Sequence, residues 1–195
     1  MLLAVPAVQP LRAWIRQQQE RRPGTVCPDF DPAEAGTNAR VLFLAEAPGP
    51  MSHTENGTKR PGTGFISVDN PDQTAANSWT ARHQAGLTEA EALHWNIVPW
   101  YLGPASKKPN AEELAAGARA LRSLLPLLPR LQVVVLAGLY AQKGWDKHMT
   151  ATADVTVVKV PHPSPLAMAQ AGKREELNQG LQRVRALLGA APLPS

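Results

Sequence analysis

Short apolar runs and segments of helical period alternate along the chain. Arg40-Val41-Leu42-Phe43-Leu44-Ala45 and Gln132-Val133-Val134-Val135-Leu136-Ala137 are continuous and bounded by turn residues, which fits strands buried on both faces of a parallel sheet. Leu93–Tyr101 and Val155–Val160 predict two further strands. Helical period marks residues 11–22, with Leu11, Trp14, Ile15 and Gln18 on one face before Pro23-Gly24, and residues 111–125, with Leu114, Ala118, Leu121 and Leu125 along one stripe. Residues 72–86 read as a helix between an Asp72 N-cap and a Gly86 C-cap, 88–91 as a short helical turn, and 174–188 as the closing helix. Residues 25–38 read as a lead-in loop, and 51–70 carry no period at all. An α/β domain over 39–189 follows, with residues 1–38 packed on it as a helix and lead-in and 190–195 as a tail.

Chemistry-bearing residues fall at the ends of these strands, where open parallel sheets bind ligands. Glu46 follows the first strand and precedes the rigid turn Ala47-Pro48-Gly49-Pro50. It works on a ligand, caps a loop or pairs with a lysine. Asn96 sits among apolar neighbours, where a buried amide needs a partner, supplied by the backbone or by a ligand edge. Gly138 opens a strand-to-helix turn that either lets backbone N–H groups approach an anion or is a plain tight turn. After the last strand comes Val160-Pro161-His162-Pro163-Ser164-Pro165-Leu166-Ala167-Met168, whose prolines fix their own φ and extend the residues before them. His162 and Ser164 are thus presented from a stiff loop. In the unpatterned stretch, Gly57, Gly62 and Gly64 permit close backbone approach, and Phe65 is either core or a stacking platform for a flat ligand. His53, in the same stretch, either approaches the site or is a solvated loop histidine.

Composition narrows the classes. With 195 residues and 44% hydrophobic content the chain can bury the core of one globular unit. Its start is apolar, but it lacks a basic leader region and is broken by Pro6, and no apolar run approaches the ~20 residues that span a bilayer. The expectation is a soluble, intracellular, cytoplasmic protein that makes no membrane contact. Cys27 is the one cysteine, which excludes an intramolecular disulfide and multi-cysteine zinc or iron–sulfur sites; no metal or cofactor is expected. A net charge of +4 suits a polyanion, and Lys107-Lys108, Lys143, Lys147, Lys159 and Lys173-Arg174 fall near loops or strand ends in the C-terminal half.

Taken in order, Glu46, Phe65, Asn96, Gly138 and His162 resemble the uracil-DNA glycosylase superfamily. Leu44-Ala45-Glu46-Ala47-Pro48-Gly49 looks like the Gly-Glu-Ala-Pro-Gly of branches related to the iron–sulfur glycosylases. Val133–Gly144 and His162-Pro163-Ser164-Pro165-Leu166 look like the corresponding stretches of the main family. The resemblance runs from about Arg40 to Leu188 and implies a doubly wound three-layer α/β sandwich with a central, mainly parallel four-stranded sheet. It also implies hydrolysis of the N-glycosidic bond of uracil, or of another deaminated base, in DNA by a monomer. On this resemblance Glu46 and His162 are catalytic, and Ala45, Ala47, Phe65 and Asn96 contact the flipped base. Pro48, Gly138, Ser164, Pro165 and Leu166 contact DNA, with Leu166 filling the vacated stack.

The reaction itself asks for such groups: an anion stabiliser at the departing base and a carboxylate near a cationic sugar. The chain also departs from the main family. Ala47 and Gly49 stand where that family has an aspartate and a tyrosine, so the catalytic carboxylate is Glu46 or lies elsewhere, and thymine exclusion falls to another group. Leu139 replaces a small hydroxyl residue, and the cluster cysteines are missing. Two other readings stand beside the glycosylase. One is a non-catalytic binder of damaged or single-stranded DNA; the other is an α/β enzyme of free nucleosides or nucleotides, which expects a buried Leu166 and no basic groove at the pocket.

Overall fold

The computed structural model describes residues 5–55, 59–103, 107–149 and 154–189. Gly57 and the tail 190–195 lie outside them. In chain order the elements are α1 (Gln9–Arg21), β1 (Asp29–Phe30), β2 (Val41–Ala45), β3 (Phe65–Ile66), α2 (Gln73–Gln84), β4 (Ala92–Asn96), α3 (Ala111–Leu124), β5 (Val133–Ala137), α4 (Leu139–His148), β6 (Thr156–Val160), α5 (Pro165–Met168) and α6 (Lys173–Leu188).

β4, β2, β5 and β6 form, in that order, a four-stranded sheet that is parallel throughout, with Leu42 opposite Leu93 and Val134, and Ala137 opposite Val160. Alternate strand residues face opposite sides. Leu42, Leu44, Trp95 and Leu136 pack with α1, α3 and α4, while Val41, Phe43, Val135 and Val160 pack with α2, α5 and α6. This is the three-layer sandwich. The chain steps from β2 outward to β4, then crosses back over β2 to β5, so the winding reverses between β2 and β5. A crevice opens at the carboxyl ends of strands at such a reversal.

Local chemistry sets the element ends. Asp72 Oδ1 accepts from Ala75 N at 2.9 Å and starts α2. Asn110 and Glu113 form a reciprocal capping box at α3. The second strand proves shorter than its apolar run: β4 stops at Asn96, and the run to Tyr101 leaves the sheet at Pro99, which has no N–H, so that Tyr101 N donates to Val26 O at 2.8 Å. The 88–91 segment is a turn rather than helix, closed by Glu91 N donating to Thr88 O.

Residues 25–38 hold more than a lead-in. β1 pairs in parallel with β3, and Glu34 enters a buried cluster in which Arg82 Nη1 stands 3.2 Å from Glu34 Oε1, Arg82 also pairs with Glu89, and Glu34 Oε2 accepts from His94 N at 2.8 Å. At the amino ends of the strands, the nearly buried Glu91 carboxylate accepts from Arg185 Nη1 at 2.9 and 3.0 Å and from Arg40 Nη1 at 3.3 Å, tying α6 to the sheet. Burial pushes the Glu91 carboxyl up, and its bonds to Thr88 and Arg185 outweigh that and hold it below the usual range. Among the described residues no helix is long and apolar enough to cross a membrane.

Candidate active site

The carboxyl ends of the four strands surround a cavity of about 660 Å³. Ala45, Glu46, Ala47 and Pro48 from the end of β2, Asn96 from β4, Gly138 from β5, and His162 with Ser164 after β6 all line it. Asn96 is only 4% exposed, and among the described residues no hydrogen bond satisfies its side-chain amide. A ligand presenting a donor and an acceptor side by side would do so.

His162 is fixed from three directions. Ser164 N donates to its Nδ1 at 3.1 Å, which leaves Nε2 to carry the proton of the neutral ring. The following carbonyl, Pro163 O, accepts from Nδ2 of the buried Asn77 on α2 at 2.8 Å. Beneath the ring lies Gly138, with a φ of +87° and so little space that an added Cβ would stand 2.7 Å from His162 Cβ. Burial pushes the His162 imidazole down to about 4, and the Lys108 charge acts in the same direction. A neutral donor at pH 7 is the result.

Gly138→Ala is expected to cost about 2 kcal/mol from overpacking and left-handed strain and to displace the His162 ring. Thermal melting and the His162 side-chain NMR signals would check it. An unchanged melting point with unmoved signals would show that the turn accommodates a side chain.

Glu46 takes the lysine partner that the sequence left open. Lys108 Nζ donates to both carboxylate oxygens, at 3.0 and 3.1 Å, and stands 5.7 Å from the centroid of the Tyr140 ring. Lys108 and Tyr140 also line the cavity. The loop after Glu46 folds back on itself: Thr63 N donates to Met51 O at 2.8 Å, and an added Cβ on Gly62 would stand 2.4 Å from His53 O. His53 packs its ring edge-on to Tyr101, a wall residue, at 4.9 Å.

Three expected contact residues stand apart from the cavity wall. Phe65 shares β3 with Ile66, and successive side chains of a strand point to opposite sides; Ile66, Ser67 and Val68 line the cavity while Phe65 does not. Pro165 and Leu166 begin the short helix α5, whose N-cap is Ser164; Leu166 is 80% exposed. Asn77 and Lys108 are working contacts that the sequence did not single out. A buried asparagine facing a loop carbonyl has no local signal, and Lys108 read only as one of several basic loop residues. Among the described residues no cluster of three or more metal-ligating side chains forms.

The model of the uracil DNA glycosylase superfamily matches residues 32–184. Among solved structures, wild-type SMUG2 of Pedobacter heparinus is similar, with 16% identity over 77% of this chain and 76% of its own and a TM-score of 0.50, a likeness of fold alone. A mimivirus UNG variant in complex with UGI is similar at 15% identity over 86% of this chain and 68% of its own, with a TM-score of 0.45. No curated protein matches the chain.

Proposed function

The chain belongs to the uracil DNA glycosylase superfamily, and from that premise we propose that it is a monofunctional glycosylase that removes uracil from DNA and so initiates base excision repair. The observation that carries this reading is the neutral His162 facing one cavity together with Glu46 and the unsatisfied Asn96. Breaking the N-glycosidic bond leaves an anionic base and a cationic sugar. His162 Nε2–H donates to the developing charge on the base, where one such donor contributes roughly 3–4 kcal/mol. Asn96 reads the base edge. Glu46 orients the attacking water and faces the sugar cation, a role open to it because no aspartate follows at Ala47. Leu166, exposed beyond the rim, fills the stack that the flipped nucleotide leaves, and Ser164 faces phosphate.

An enzyme of free nucleosides fits less well, since Leu166 is 80% exposed and Lys107 and Lys108 line the cavity. A non-catalytic DNA binder has one observation in its favour: both Glu46 oxygens are engaged by Lys108. Single-stranded and U:G duplex oligonucleotides separate the two. Abasic product from uracil strands is expected, and a parallel panel of thymine, hypoxanthine and xanthine strands defines the base range. No abasic product at high protein concentration, with DNA still bound, would leave the binder.

A further inference from the structure

Lys108 lies on the connection between β4 and α3, and its immediate neighbour Lys107 has a different partner, Glu113, at 4.0 Å. The Lys108 side chain is 55% exposed, but the carboxylate it holds is only 16% exposed, so the pair is anchored from the cavity side. Both oxygens of Glu46 go to this one ammonium, and among the described residues neither accepts any other hydrogen bond. Glu46 follows a five-residue strand directly, so its backbone is fixed by the sheet: Val98 N donates to Glu46 O at 3.1 Å. Its side-chain torsions have no such restraint except through Lys108. The ammonium also stands 5.7 Å from the Tyr140 ring, which places the charge between β2 and the first turn of α4, in the cavity that His162 also lines.

We propose that Lys108 is a positioning residue of this site: by gripping both oxygens of Glu46 it sets where that carboxylate points when substrate arrives. It acts through Glu46 and, by its charge, through His162, and the proposal rests on those two being the working groups named above. Burial is the main cause of the depressed basicity of His162, and the Lys108 charge adds to it, since a cation beside an imidazole disfavours the second proton. The remaining ionisable groups on the cavity wall are Glu46, Asp72, His94, Tyr101, Lys107 and Tyr140, so Lys108 is the cation already in contact with the acid half of the site.

Lys108→Met and Lys108→Arg in the full chain test this in two arms. In the free protein, side-chain NMR follows the His162 titration. The Met variant is expected to move the midpoint a little upward from about 4, burial still holding it below 6.5, while the Arg variant leaves it low. This arm needs no turnover. On uracil-containing single strands, the Met variant is expected to lower kcat by ~10- to ~100-fold with little change in KM, as a misaimed group does, and Arg to restore most of it. An unchanged kcat with a raised KM and a salt slope shallower by about one would make Lys108 a phosphate contact and overturn the proposal. An unmoved His162 titration with native kcat would overturn it equally. If the native chain releases no base while the NMR midpoint moves as expected, the glycosylase reading fails and the positioning role with it, leaving Lys108 only as a charge that acts on His162.

Discussion

His162→Ala is expected to slow base release by about 10²- to 10³-fold in single-turnover measurements, with DNA affinity nearly unchanged. The ring meets the requirements of an anion stabiliser: Nδ1 is occupied by Ser164 N at 3.1 Å, the proton sits on Nε2, and burial keeps the ring neutral. The same picture fixes the pH dependence. With a folded pKa of about 4 against an ordinary 6.5, the native rate holds as the pH falls from 7 and drops only as it nears 4. Stability behaves otherwise. Between 6.5 and 4 the unfolded chain binds a proton that the folded ring refuses, so this group's contribution to stability is complete above 6.5 and declines as the pH falls toward 4. A rate that fell with a midpoint near 6.5 would mean that the imidazole is solvated and that the catalytic assignment is wrong.

Arg82→Met is expected to produce the largest loss of stability, about 3–5 kcal/mol. Arg82 and Glu34 have side chains only 2% and 1% exposed, so removing the guanidinium strands a carboxylate inside the protein. For a chain of this size the melting temperature should fall by roughly 10 °C. Glu34 also holds His94, whose ring stacks on Phe43 at 4.4 Å on the cavity floor, so the loss should extend to the site. A drop of only a degree or two in a thermal melt would show that His94 alone suffices as the carboxylate's partner.

The pair at Glu34 and Arg82 also shows where sequence reading stops. The runs of β2 and β5 specified the centre of the sheet because a strand buried on both faces must be apolar at every position, and that pattern is local; the edge strands β4 and β6 also carry His94, Asn96, Thr156 and Lys159. Glu46, Gly138 and His162 could be found because each follows such a run and Asn96 because it stands inside one, and the parallel register then brings all four to one edge. Nothing local marks the contacts between distant segments. Glu34 lies 48 residues from Arg82, Lys108 lies 62 from Glu46, and Asn77 lies 86 from the Pro163 carbonyl it holds. The two-residue strand β3 carries no local signal for a related reason: it forms by pairing with β1, and it turns Ile66 rather than Phe65 toward the cavity.

The Glu91 clasp sits at the amino ends of the strands, a sheet's length of about 16 Å from the edge that carries Glu46 and His162. The clasp that ties α6 to the sheet and the candidate site therefore sit at opposite poles of the same strands. Exchanges around Gly49, Lys108 or Leu139 at one pole leave untouched the ion pairs that clamp α6 at the other.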